Sequence, residues 1–252
     1  MNDLKIKMDA SSFLKIENIF LENDLDTCET IISNLLESKG VFLSKIRTEM
    51  SENPRILKQQ QLEIKRPSLL SRQLRESAVF NHCKKIAADY FDGHAYYLFD
   101  HAIYKMPGSQ TITPWHQDQA YLGSDIIIPS LHFWIPFQVT TIENGAMQFV
   151  EHKYSHLLPH VAAYTTNPHV LKVADKPTGN IYTMNINKGD VSIHDHLSLH
   201  SSTANKSTHI RKAWIIHFGQ KPEWYKHWLK VRKYLFSSAP TKPSPDSNGT
   251  TE

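Results

Sequence analysis

Residues 95–106, AYYLFDHAIYKM, mark the point at which the texture of the chain changes. The chain before them reads as helical. Beyond them it breaks into short β-rich runs: SDIIIPSLHFWIPFQVT (124–140), AMQFV (146–150), NIYTMNI (180–186), DVSIHDHLSLH (190–200) and KAWIIHFG (212–219). Between the runs stand the turn signals Pro107-Gly108, Asn144-Gly145, Thr178-Gly179-Asn180 and Lys188-Gly189-Asp190, which supply the backbone freedom that tight reversals need. Many short strands with no helices between them point to a barrel or a jelly roll. Upstream, DLDTCETIISNLLESKG (24–40) sets Leu25, Cys28, Ile31, Ile32, Leu35 and Leu36 at three- and four-residue spacings and closes on Lys39-Gly40, which predicts an amphipathic helix. SLLSRQLRESAVFNHCKKIAADYFDG (68–93) reads as two consecutive helices ending at a glycine. The expected organisation is one mainly β domain with flanking helices over residues 1–236. It has a helical front to about residue 93 and a strand-rich core over about 94–220. The tail 237–252, SSAPTKPSPDSNGTTE, carries almost nothing apolar and is expected to be disordered.

With 252 residues and 40% hydrophobic content, the chain can bury one sizeable core. Its formal charge is +3, the 28 Lys and Arg are interleaved with 25 acidic residues, and no basic run of five occurs, so nucleic acid is not an expected partner. Cys28 and Cys83 lie far apart without a CxxC pair. Neither a disulfide framework nor a cysteine zinc site is written here, and a reducing cytoplasm fits. The N-terminus lacks a signal-peptide core and no window of 18 apolar residues occurs, so a soluble, unprocessed, cytoplasmic protein that does not engage a membrane is expected.

The chemistry is concentrated in TPWHQDQAYLG (113–123), where His116 and Asp118 stand one residue apart. With 15 histidines and thirteen aspartates in the chain, about one such pair arises by chance, so context must decide. In a strand, residues i and i+2 face the same side, and the pair can therefore aim an imidazole and a carboxylate into one interior. An iron(II) centre that also binds a chelating cosubstrate and oxygen needs two imidazoles and one carboxylate on one face, with three positions left open. The second imidazole must come from a distant strand. The segment 189–214 offers His194, His196 and His200 at one parity. After His200 come a polar turn, SSTANKSTH (201–209), and Arg211 at the head of an apolar strand. If the two strands pair as a hairpin, His200 and Arg211 become neighbours, one on the metal and one beyond it. A guanidinium there would grip the far carboxylate of a metal-chelating dicarboxylate bidentately.

WHQD, the FW eighteen residues later, ENGAMQFV…SH, and GD…H followed by S..N…R together resemble the phytanoyl-CoA dioxygenase family of iron(II)- and 2-oxoglutarate-dependent oxygenases. The resemblance runs roughly from Phe13 to Phe218. It implies a double-stranded β-helix, the cupin-like jelly roll, and a metal triad of His116, Asp118 and His200 with Arg211 on the 2-oxoglutarate carboxylate. Trp134 and Ser202 match positions that line the cosubstrate pocket, and Lys65 matches a family lysine. His101 is a further candidate for contact with cosubstrate or substrate. His194 and His196 are then structural or pocket-lining rather than ligands, Trp115 and His217 belong to the core, and Lys105 beside Pro107-Gly108 reads as a solvated strand end. Where relatives carry Pro-Gly-Ser-His, this chain reads EHKYSH (151–156). A re-cut loop at the barrel mouth would set substrate choice, with Gln148 and His156 as candidate substrate contacts.

The implied activity is dioxygenation: iron(II), 2-oxoglutarate and O2 oxidise a C–H of a small-molecule substrate, with release of succinate and CO2. An aspartate at 118 argues against halogenation, which needs that coordination position free. Desaturation, ring closure and epimerisation use the same triad. A non-catalytic metal-binding jelly roll would explain the strands but not His116, Asp118, His200 and Arg211 together. A cupin enzyme without 2-oxoglutarate would leave Arg211 without a purpose.

Overall fold

The computed structural model describes residues 2–38, 46–52, 60–93, 95–123 and 127–220. Its frame is a pair of antiparallel sheets. The larger has seven strands in the order β1 (Phe13–Ile16), β11 (Val191–Asp195), β6 (Ser130–Pro136), β13 (Arg211–Gln220), β4 (Ala95–Lys105), β3 (Gln61–Lys65) and β2 (Arg47–Glu49). The smaller has four, β10 (Ile181–Met184), β7 (Met147–Val150), β12 (His200–Ser202) and β5 (Thr113–His116), and β8 (His160–Ala162) pairs with β9 (Leu171–Val173) by itself. This is the mainly β jelly-roll arrangement, two layers with side chains alternating between an inner and an outer face.

Period-two alternation divides the large sheet into two chemistries. From β13, Trp214, Ile216 and Phe218 join Leu131, Phe133 and Ile135 of β6 and Val191 and Ile193 of β11 in one apolar cluster, packed on the helices. Burying each of these larger side chains contributes about 1.5–3 kcal/mol. The alternate residues Ala213 and Ile215, with Trp134 of β6, face the other way and pack with Phe13, Met147, Phe149, Met184 and Ile186. The same parity carries His101, Ile103 and Lys105 of β4, His132 of β6, His194 of β11 and Arg211 of β13. Registers are fixed by the pairs Arg211↔Lys105, Ile215↔Trp134, His217↔His132 and His194↔His132.

The helices behind the large sheet are α1 (Asn2–Ser11), α2 (Glu22–Glu37), α3 (Pro67–Leu70), α4 (Arg72–Glu76) and α5 (Ala78–Tyr90). α2 buries Leu25, Cys28 and Ile32, as its spacing predicts, and has Glu22 and Asp24 in its first turn, where the helix dipole favours acids. The predicted closing residues Lys39 and Gly40 lie outside the described residues. Residues 68–93 form three helical segments rather than two. Ser71 and Ser77 cap α4 and α5 by accepting from the backbone N–H of Leu74 and Phe80, and each cap resets the chain direction. The front is also not purely helical: β1, β2 and β3 extend the large sheet at both edges, and segments of three to five residues are too short to show a period. The expected disordered tail 237–252 lies outside the described residues. No helix among the described residues is long and apolar enough to cross a membrane.

One buried acid ties the helices to the sheet. Asp100 is fully buried and accepts from Ser68 N (3.0 Å), Ser68 Oγ (2.9 Å), Tyr97 Oη (2.6 Å) and Trp214 Nε1 (2.8 Å). Burial pushes its carboxyl up, against the pull of those donors. Asp100→Ala strands the donors in an apolar layer at about 1–3 kcal/mol for each one left unsatisfied. Urea denaturation is expected to show a loss of several kcal/mol, and a midpoint equal to the parent's would contradict this role for Asp100.

Candidate active site

Two strands of the small sheet bring the candidate metal triad together. β12 lies between β7 and β5, with His200 opposite His116 on one side and Phe149 on the other. His116 ends β5, Gln117 is still extended (φ −109°, ψ 134°), and Asp118 opens a 3-10 turn over Asp118–Tyr121. Strand alternation therefore survives just long enough to put Asp118 beside His116. Oδ1 of Asp118 lies 3.3 Å from His116 Nε2 and 3.7 Å from His200 Nε2, and the two rings are 4.3 Å apart. His116 Nδ1 donates to the carbonyl of Pro114 (2.8 Å) and His200 Nδ1 to that of Ser198 (2.9 Å). A carbonyl oxygen can only accept, so each Nδ1 holds the ring proton and each Nε2 presents a lone pair to the shared space.

The electrostatics agree with the geometry. Burial alone would raise the Asp118 carboxyl, but the neighbouring His200 and His132 rings hold it well below its ordinary value. Burial, reinforced by His116, holds His200 well below the usual imidazole range. An ionised carboxylate and neutral imidazoles are the protonation states that a divalent metal requires.

A partly open cavity reaches from this triad to Arg211. Ile103, Met147, Ile215 and Trp134 form its apolar walls, and Thr113, Ser202, His101 and His194 supply polar groups. Arg211 is 2% exposed. Its Nε and Nη1 have no hydrogen-bond partner, and its guanidinium sits 5.5 Å from the Trp134 ring centroid. Burial pushes it down to about 9. Buried charges are ordinarily paired. A buried guanidinium with two nitrogens lacking a hydrogen-bond partner thus stands at the end of a cavity that begins at a His2Asp cluster.

Residues 26–213 match the family model described as Phytanoyl-CoA dioxygenase (PhyH). The chain belongs to the phytanoyl-CoA dioxygenase family. Among solved structures, it is similar in fold to EvdO2 from Micromonospora carbonacea var. aurantiaca complexed with 2-oxoglutarate, at TM-score 0.74 and 20% identity over 86% of this chain and 90% of that one. It also resembles the non-heme α-ketoglutarate-dependent carbocyclase SnoK from nogalamycin biosynthesis (TM-score 0.68, 15% identity, 87% and 84% covered). A third likeness is the epimerase SnoN in complex with Fe3+, α-ketoglutarate and nogalamycin RO (TM-score 0.64, 14% identity, 90% and 88% covered). No curated protein sequence matches the chain.

Within this family member, the structure brings His116, Asp118, His200, Arg211, Trp134, Ser202 and His101 to one cavity. Ser202 Oγ donates to Thr113 Oγ1 (2.9 Å), and His101 Nδ1 meets the buried Glu63 Oε1 at 2.6 Å. Lys65, Gln148 and His156 do not line it. Lys65 sits 3.8 Å from Glu63 Oε2. Gln148 alternates with the inward Met147 and Phe149, so it faces away and donates to Thr183 Oγ1 (3.1 Å). His156 is exposed and gives its carbonyl to Gln117 Nε2 (3.1 Å).

Two expectations are corrected. His200 and Arg211 do not form a hairpin: β12 belongs to the small sheet and β13 to the large one, so the histidine and the arginine face each other across the sandwich. Asn205 makes the crossing possible, its Nδ2 donating to the carbonyls of Lys105 (2.9 Å) and His209 (2.7 Å). Lys105 is not a solvated strand end. It is fully buried, and Nζ donates to the carbonyls of Thr111, Ser202 and Thr203, because inward parity in a central strand outweighs its charge. Gly145, the glycine of the NG turn, has φ +101°, and a Cβ there would come within 3.2 Å of Arg211 Nε. The turn is thus part of the arginine's seat.

Sequence reasoning missed Gln117 and His132. Gln117 is fully buried and holds the loop after β7 by donating to the carbonyls of His156 and Leu197 and accepting from Leu158 N (2.7 Å); nothing in the sequence flags it. His132 shares the parity of Trp134, and that signal was available.

Four imidazoles, His132 and His200 buried and His196 and His217 half-buried, give the metal-free protein a pH signature. Burial is the leading cause that holds His132, His196, His200 and His217 below the ordinary 6.5, His196 at about 4. Above pH 6.5 both folded and unfolded states are neutral at these sites. Below it only the unfolded rings take up protons, so stability falls between pH 6.5 and about 4, at up to about 1.4 kcal/mol per pH unit for each proton. Urea midpoints of the metal-free protein should drop from pH 7.5 to pH 5.5; a rise would contradict these burials.

Proposed function

We propose that this chain is an iron(II)- and 2-oxoglutarate-dependent dioxygenase that hydroxylates an unactivated C–H of a small molecule, converting 2-oxoglutarate and O2 to succinate and CO2. The observation that carries this reading is the pairing, within one cavity, of the His116–Asp118–His200 cluster with a buried, unpartnered Arg211. Either alone has a bland explanation, whereas together they fit the two ends of a chelating dicarboxylate. The complexes of EvdO2 with 2-oxoglutarate and of SnoN with Fe3+ and α-ketoglutarate support it at the level of fold.

Iron(II) held by His116, Asp118 and His200 would supply the activation of O2. The rest falls to the protein. The Arg211 fork holds the distal carboxylate and fixes the cosubstrate's reach towards the triad. Trp134 stacks beside the guanidinium and limits its rotation. Thr113 and Ser202 offer hydroxyls along the way, and Met147, Ile103 and Ile215 exclude water. Ring closure or epimerisation is a second reading, favoured by the likeness to SnoK and SnoN. The test is to incubate iron(II)-loaded protein with 2-oxoglutarate, O2 and candidate small molecules and follow succinate and product mass together. A gain of about 16 mass units marks hydroxylation. Loss of two hydrogens marks ring closure or desaturation, and an unchanged mass with altered stereochemistry marks epimerisation. Absence of succinate with every substrate and in their absence would overturn the proposal.

A further inference from the structure

Asp118 has two oxygens, and the structure gives them to different partners. Oδ1 faces His116 and His200. Oδ2 faces away from them and meets two other imidazoles, His132 through Nδ1 and His194 through Nε2, the latter at 3.2 Å. Both rings come from the large sheet, where they are register partners on β6 and β11, and both are buried. We infer that His132 and His194 are positioning residues that grip Oδ2 and so leave Asp118 to bind the metal through Oδ1 alone.

The hydrogen-bond accounting assigns the protons. His132 Nε2 lies 2.9 Å from Ser130 Oγ, a hydroxyl able to donate to it, which frees the single proton of a neutral ring for Nδ1 and the carboxylate. His194 Nδ1 is buried without a partner. A bare lone pair there costs less than a stranded N–H, so the proton sits on Nε2, again towards Asp118. Each ring thus turns an N–H towards the same oxygen. Ligating carboxylates are oriented by outer hydrogen bonds of this kind. The arrangement also couples the sheets: Asp118 follows β5 of the small sheet, and its orientation is set by the large one.

This inference rests on the metal site proposed above, and its test separates the two. The measurement is Co(II) affinity and the visible absorption of the Co(II) protein, read independently of turnover. Asparagine mimics a donor at the Nδ1 position and glutamine one at Nε2. At position 132, His132→Asn should bind within a few-fold of the parent, whereas His132→Gln should bind about 10- to 100-fold more weakly, with an altered Co(II) spectrum. At position 194 the pattern should be reversed, His194→Gln retaining and His194→Asn losing affinity. A residue that only fills space would not give this crossed pattern. Equal affinity for all four variants and the parent would overturn the inference and leave the metal site standing. Two equivalents of Co(II) in the parent, one of them lost in His132→Gln, would overturn it in favour of a separate cation site at Asp118, His132 and His194. Failure of the parent to bind Co(II) would instead remove the metal centre itself, and the inference with it.

Discussion

His200→Ala is expected to lose more than about a hundredfold in iron(II) affinity and all detectable turnover, because even the outer partners of metal ligands are worth 10–100-fold. The reason is local. His200 Nε2 is one of two lone pairs facing Asp118 Oδ1, and its Nδ1 proton is committed to the Ser198 carbonyl, which holds the ring with that lone pair towards the shared space. His196 is the control. Its ring nitrogen Nδ1 accepts from Ser130 N at 3.4 Å, outside the cavity lining, and His196→Ala should leave the metal bound. Equilibrium dialysis with iron(II) under anaerobic conditions, or with Co(II), reads both variants. Metal retained in His200→Ala and lost in His196→Ala would place the second imidazole on the wrong residue.

Arg211→Leu should leave metal binding intact and weaken 2-oxoglutarate by roughly thirty-fold to several thousand-fold. Removing one partner of a desolvated charge pair costs about 2–5 kcal/mol, and each 1.4 kcal/mol is a factor of ten in Kd. The high end is favoured by the site, since Arg211 is 2% exposed and the neighbouring cation, Lys105, spends its ammonium on three backbone carbonyls. Arg211→Lys keeps a charge without the fork and should fall between leucine and the parent. Calorimetric titration of the Co(II)-loaded variants gives the three dissociation constants directly. A parent-like constant for Arg211→Leu would reduce the arginine to a strand residue.

How much of the fold and site was legible in the sequence depends on which residues are asked. The change of texture at Ala95 marks the long strand β4, and the alternation in SLHFWIP and KAWIIHF marks which side chains turn inward. Parity also proved a better guide than charge: Lys105 follows His101 and Ile103 inward although a lysine beside Pro-Gly suggests solvent. The Thr203–Ile210 connection defeated local reading. Its composition signals a turn, but whether a turn returns along the same sheet or crosses to the other is decided by tertiary contacts, here the Asn205 side chain against Lys105 and His209. The short strands β1 to β3 were hidden because they acquire their identity from the partner they pair with. Lys65, Gln148 and His156 were placed near the cosubstrate or substrate by family position or loop proximity rather than by parity, and the cavity does not include them. His132, by contrast, is signalled by parity, since it lies two residues before Trp134 on the same face of β6.

If His116, Asp118, His200 and Arg211 bind a metal and a dicarboxylate as one unit, the direct test is an anaerobic titration of the iron(II)-loaded parent protein with 2-oxoglutarate, read by the metal-to-ligand charge-transfer absorption of the chelate. The expected result is a visible band that saturates at one equivalent per chain, is abolished by His200→Ala, and saturates only at far higher 2-oxoglutarate in Arg211→Leu. Iron bound with no band at any 2-oxoglutarate concentration would contradict the pairing, and would leave a metal-binding jelly roll whose arginine serves another anion.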